Sequence, residues 1–332
     1  MYKRLYIGVP AESNERLVIL DSFHYASVLE RRVGGEDIWA RSTVQALKNT
    51  GYTYLYTDAT TMRYSVQLYQ MLPDLVKTVL VERQYSKLCF EDVTCVMSPQ
   101  NPSGIPTWKL LSVSFWVQAE NPLGHKWTLS PEDPECLSRP FVPHDQRAKP
   151  PRAYVLAKKL EYFSPEKNAW KNNFYDDVAA ETGAQFLAGA WQTTPDSESP
   201  KLPKSVKNFY QALAESPTPY DALCFGVPYI NPILQWDKKD PTNRQKWTTQ
   251  QGLLKHLDPP YVYNLLKGDK EGFLKAIKDA LAHPIESYIL DRMRMGVVEE
   301  RLGNILETDW KAEAQILLKE RMESGKGRLF TV

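Results

Sequence analysis

Apolar positions along this chain switch between two spacings, and the switching predicts alternating helices and strands. Glu36 to Asn49 has helical spacing, with Ile38, Val44 and Leu47 on one face and Gly51 placed to end the helix. The TYLYT run from Thr53 to Thr57 reads as a strand. A second helix is expected from Met62 to Met71, stopped before Pro73, and a buried strand from Leu75 to Val81. Leu110 to Val117 is the next strand. Prolines then crowd residues 118–152, which suits a joint between domains. Beyond the joint the pattern resumes. Strands are expected at Ala153–Leu156, Ala184–Gly189, Val227–Ile230 and Tyr261–Leu265. Helices are expected at Asn172–Thr182, Ser205–Ala214, Pro219–Phe225 and Lys270–Ala282. Helical spacing also covers Ile285–Met295 and Val297–Glu323. Alternation of this kind predicts mostly parallel sheets covered on both faces.

Composition narrows the class. The chain has 332 residues, enough for two domains, and its 42% hydrophobic and 24% charged residues are those of a globular protein. A net charge of +1 gives no field toward nucleic acid, and no basic stripe is visible, so nucleic-acid binding is not expected. No stretch approaches the roughly 18–20 apolar residues that cross a bilayer, and the first residues lack a signal-peptide core. The expectation is a soluble chain with no visible export signal or anchor. The four cysteines, Cys89, Cys95, Cys136 and Cys224, contain no CxxC pair, so no zinc site is expected. Cys224 lies in an apolar run and reads as a buried small hydrophobe. Two of the other three would pair in an oxidising compartment.

The richest segment is Glu215 to Pro232, ESPTPYDALCFGVPYINP. Ser216, Pro217, Thr218 and Pro219 form a turn that opens a helix, since Ser and Thr cap helices and proline fits the first turn. The first amides of a helix lack internal partners and carry the positive end of its dipole, an arrangement suited to a diphosphate. Asp221 follows within the first turn. It either favours the dipole there or accepts hydrogen bonds from two ribose hydroxyls. A capped helix with an acidic first turn is also common in α/β proteins with no nucleotide.

This segment resembles the donor-site helix of two-domain, GT-B-type glycosyltransferases. More closely, the chain resembles fungal members of glycosyltransferase family 18, the N-acetylglucosaminyltransferase V family of alpha-1,6-mannosyl-glycoprotein 6-beta-N-acetylglucosaminyltransferases. NPLGHKWTLSPE (121–132), PFVPHDQR with RAYVLAKKLEYF (140–163), SPTPYDALCFGVPYINP, LDPPYVYN (257–264), HPIESYILDRM and VEERLGNILETDW carry the likeness, which covers roughly residues 35–325. SPTPYDALCFG and LDPPYVYN are its more specific pieces.

The resemblance implies a GT-B-like fold of two Rossmann-like domains with closing helices, the N-terminal domain being incomplete. Residues 1–34 would be an N-terminal extension, 35–148 the acceptor-side α/β domain and 149–325 the nucleotide-sugar domain with the closing helices. It implies inverting transfer of N-acetylglucosamine from UDP-GlcNAc to a mannose of an N-glycan, without a metal or other cofactor. Ser216 and Thr218 would meet the diphosphate and Asp221 the ribose. Lys158 would sit near the phosphates or stand as a solvated strand-end lysine. Tyr261 would line the donor pocket or be a buried strand aromatic. Glu120 is the candidate base, with Glu132 and Asp133 as rivals. His125 and His144 read as surface or hydrogen-bonding histidines, and Trp108, Trp116 and Trp127 as an acceptor groove or core. The family is anchored in the Golgi. This sequence differs from it in showing no visible anchor, in the short link from Asp133 to Arg139, and in running FYQALAE directly into SPTPYDAL. A degenerate relative with a binding or structural role is one alternative, and a GT-B enzyme with another sugar donor is the other.

Overall fold

In a computed structural model the structure describes residues 17–31, 37–57, 62–113, 142–147, 149–157, 159–192, 200–208 and 219–332. The fold is mixed α/β, built from parallel-strand sheets and helices. The chain divides into two compact units, one of residues 1–134 with 290–332 and one of 135–289.

The first unit is organised by β1 (Leu17–Asp21), α1 (Phe23–Leu29), α2 (Ile38–Asn49), β2 (Thr53–Thr57), α3 (Arg63–Met71), β3 (Val76–Val81), α4 (Arg83–Glu91) and β4 (Leu110–Ser112). All strand pairs are parallel, in the order β2-β1-β3-β4. Side chains of β1 alternate between two cores, as a strand must. Val18 and Leu20 join Trp39, Val44 and Leu47 of α2. Leu17 and Ile19 join Met62, Val66 and Tyr69 at α3. The sheet is therefore covered on both faces. The segment expected as an N-terminal extension thus contains the central strand. LVILD is buried at all five positions and shows no polar alternation by which a strand announces itself. A buried disulfide joins Cys89 to Cys95 beside the second core.

The second unit contains β5 (Arg152–Val155), α5 (Asn172–Thr182), β6 (Gln185–Ala188), β7 (Val206–Asn208), α6 (Pro219–Cys224), β8 (Tyr229–Gln235), β9 (Thr248–Thr249), β10 (Val262–Leu266) and α7 (Lys270–Ala282). Among the described residues these strands form two sheets, β5-β6-β7 and β10-β8-β9, parallel except where β9 meets β8. Trp170 stacks on Phe273 at 4.9 Å, and Tyr175 meets Phe186 edge-on at 5.3 Å. These rings form the core under α5 and α7. Gly183 ends α5 at φ +69°, as its position in the sequence predicts.

Three sequence expectations change here. Residues 206–208 were expected in a helix, yet Val206 pairs with Phe186 and extends the parallel sheet. Tertiary pairing overrides local propensity at this point. Residues 284–290 form no helix; Tyr288 N–H is committed to the carbonyl of Leu223 instead of a carbonyl one turn back. The long closing helix is two helices, α8 (Met295–Glu307) and α9 (Trp310–Ser324). Asp309 caps α9 by accepting from Ala312 N–H at 3.0 Å.

Those closing helices also belong elsewhere than expected. Val298, Leu302, Ile305, Leu306 and Trp310 are buried in the same core as Leu20, Leu47 and Leu80. They complete the first unit, not the second unit that precedes them in the chain. No helix among the described residues is long and apolar enough to cross a membrane.

Candidate functional site

The helix expected at the donor site forms, as α6, with Asp221 half-buried in its first turn. Its carboxyl end is fixed in three ways. Gly226, at φ +70°, lets Val227 N–H reach the carbonyl of Ala222 at 2.8 Å and Gly226 N–H that of Leu223 at 3.0 Å. This is a Schellman closure, which needs a left-handed residue at that point. The Arg147 guanidinium donates to the carbonyls of Gly226 at 3.0 Å and Phe225 at 3.1 Å. A cation at the carboxyl end also suits the helix dipole. Burial holds the Arg147 guanidinium below its usual pKa.

The third anchor is Tyr288. Its N–H donates to the Leu223 carbonyl at 3.0 Å, and its ring lies 4.4 Å from that of Tyr261. The structure thereby brings the helix that bears Asp221 and the half-buried Tyr261 together through one residue. Tyr261 precedes β10 by one position, and its carbonyl accepts from Tyr229 N–H at 2.9 Å. Burial pushes the Tyr229 phenol well above its ordinary pKa, with Tyr220 adding to the effect. His144 Nε2 lies 2.9 Å from the Ile285 carbonyl oxygen, the hydrogen-bonding role read from the sequence. Cys224 is buried, as its apolar run suggests, and is also disulfide-bonded. Ser216, Thr218, Lys158 and Glu120 lie outside the described residues, as do Glu132, Asp133, His125, Trp116 and Trp127. Trp108 is half-buried, packs against the first core and carries Lys311 Nζ 5.5 Å from its ring centre.

A second constellation escaped the sequence reading. The strand ends Thr57, Asp21, Val81 and Ser112 stand in register along the carboxyl edge of the first sheet. Ser65 Oγ donates to Asp21 Oδ2 and lies 3.4 Å from Thr57 Oγ1. Ser22 caps α1, receiving His24 N–H at 3.1 Å, and its own hydroxyl donates to Glu82. His24 Nδ1 meets Asp37 Oδ1 at 2.5 Å. The buried Tyr25 phenol is pushed far above its usual pKa, chiefly by burial. The signal that would have found this group is local. A five-residue apolar run closing on Asp-Ser reads as a strand running into a helix cap.

The chain matches no protein-family model and no curated protein. Among the described residues no group of His, Cys, Asp and Glu is placed to hold a metal ion.

Proposed function

We propose that the protein is an inverting glycosyltransferase that moves N-acetylglucosamine from UDP-GlcNAc to a mannose of an N-glycan, its two units arranged in the GT-B manner. The observation that carries the reading is α6: a short helix with an acid in its first turn, fixed at its far end by Gly226, Arg147 and Tyr288. The reading assigns the opposite, amino end of this anchored helix to the donor diphosphate. Asp221 accepts from the ribose hydroxyls, Ser216 and Thr218 meet the diphosphate beside the helix amides, and Lys158 adds positive charge to the leaving group. Tyr261 flanks the donor. A carboxylate base, Glu120, takes the proton of the acceptor hydroxyl as its oxygen bonds to the anomeric carbon and the bond to UDP breaks. The Cys89–Cys95 disulfide supports work in an oxidising lumen such as the Golgi.

The test is calorimetric titration of the purified chain with UDP, together with UDP release from UDP-GlcNAc in the presence of a mannose-terminated N-glycan. Asp221→Ala is expected to weaken UDP binding about 10–100-fold, the worth of hydrogen bonds to a charged group. A parent chain that ignores UDP, or a variant that binds it equally well, overturns the proposal. UDP binding without turnover assigns the degenerate relative instead.

A further inference from the structure

The last turn of α4 is fastened on two sides. On one side Cys89 is joined to Cys95, and both are buried in the second core. On the other stands the next residue, the half-buried Phe90. Its partner comes from the segment that follows α9. The Phe330 ring lies 6.4 Å from the Phe90 ring, and the Arg328 guanidinium lies 4.9 Å from the centre of Phe90. The Arg321 guanidinium lies 5.4 Å from the centre of Phe330, and its Nη1 donates to the Arg328 carbonyl at 2.7 Å. Two rings and two guanidinium groups thus form one cluster, drawn from α4, α9 and the segment after α9.

That segment is built as a strap. Gly325 ends α9 at φ +64° and Gly327 stands at φ +88°, two left-handed positions that turn the chain back. A Cβ on Gly327 would come within 3.0 Å of Arg321 Nε, so the strap passes close over the residue that meets Phe330. Phe330 and Val332 are partly buried against the first core, whereas Arg328 and Leu329 are exposed. Among the described residues no backbone-to-backbone hydrogen bond holds residues 326–332. Side chains fix the strap, and a segment fixed in this way opens locally while the rest of its unit stays folded.

The two fastenings are neighbours in the chain, and this couples them. Cys89 is 1% exposed and Cys95 3%, so a thiolate reaches neither sulfur until the last turn of α4 lifts. Lifting that turn takes Phe90 away from Phe330 and Arg328. We propose that the strap of residues 326–332 gates the Cys89–Cys95 disulfide: docked, it shields the disulfide from thiols, and undocked, it admits them. The chemical step is thiol–disulfide exchange with a dithiol. Its first thiolate attacks one sulfur and forms a mixed disulfide, and the other cysteine leaves as a thiolate. Its second thiolate then closes a cyclic disulfide and releases the first cysteine. The dithiol is oxidised by two electrons, and the two cysteines gain those electrons and its two protons. The device stands apart from the transferase reading.

The test is the rate at which dithiothreitol reduces this disulfide in the folded full chain. It is read by quenching with iodoacetamide and mass spectrometry of the peptides that carry Cys89 and Cys95. Phe330→Ala is expected to speed reduction about tenfold and Arg328→Ala about threefold, matching the loss of a ring pair and of one cation–π contact. Phe330→Tyr keeps the ring and holds the rate within about twofold, as does Leu329→Ala on the exposed side of the same strap. Reduction through local opening changes little in low urea, which separates it from reduction through the unfolded chain. Should Phe330→Ala fold poorly, the exposed Arg328→Ala decides alone. An unchanged rate in the deciding variant overturns the gate. So does a parent rate that follows the global unfolding constant as urea is added, since the disulfide then opens only with its whole unit.

Discussion

Arg147 shows how one side chain holds the end of a helix far from it in sequence. Its guanidinium meets two carbonyls that follow α6, at 3.0 and 3.1 Å, and a third at Val142, 3.1 Å from Nε. Arg147→Ala leaves these carbonyls to water and is expected to lower unfolding stability by about 1–2 kcal/mol, read as a lower denaturant midpoint. Arg147→Lys recovers little of it, since a point ammonium does not match two adjacent oxygens. At this scale the sequence is legible where chemistry is local. Asp221 falls in the first turn of its helix because Pro219 opens that helix and Gly226 closes it, all within eight residues. His24 and Asp37 were not legible as a pair. Thirteen residues separate them, and only the packing of α1 beside α2 joins them.

Elements were readable in proportion to how much of their identity lies in their own residues. Thr53–Thr57 and Lys270–Ala282 have the bounds the pattern predicts, the first from β-branched and aromatic alternation and the second from Phe273 and Ile277 on one face. Val206–Asn208 fails the same test because its strand character comes from Phe186, Leu187 and Ala188 across the ladder. The break between α8 and α9 is intermediate. Apolar spacing runs through it, but Asp309 caps the new helix and Trp310 Nε1 turns back to the Ile305 carbonyl at 2.6 Å. Asp309→Ala is expected to cost about 1 kcal/mol, and amide exchange is expected to quicken first in the opening turn of α9.

At the scale of the whole molecule, the second unit is an insertion between two parts of the first. The core of the first unit depends on Leu302, fully buried among residues that include Leu20 and Leu80. Leu302→Ala is expected to remove about 2–5 kcal/mol from that unit. Two independently melting units are expected to give two calorimetric transitions, of which Leu302→Ala lowers one and leaves the other in place. A single transition shows a single cooperative fold. The sequence alone placed these helices with the second unit, because neighbours in the chain are the natural guess for neighbours in space. Only the buried faces of Val298, Leu302 and Ile305 reveal the true partner.

That arrangement has a consequence for biogenesis. The ribosome releases β1 to β4 early and α8 and α9 only after all of residues 135–289. For that interval the side of the nascent sheet with Leu20, Tyr54 and Leu80 has α2 against it but lacks the rest of its cover, Val298, Leu302 and Ile305. Such a chain is a natural client for a chaperone that shields apolar surface, and slowing translation beyond residue 289 should lengthen its stay there.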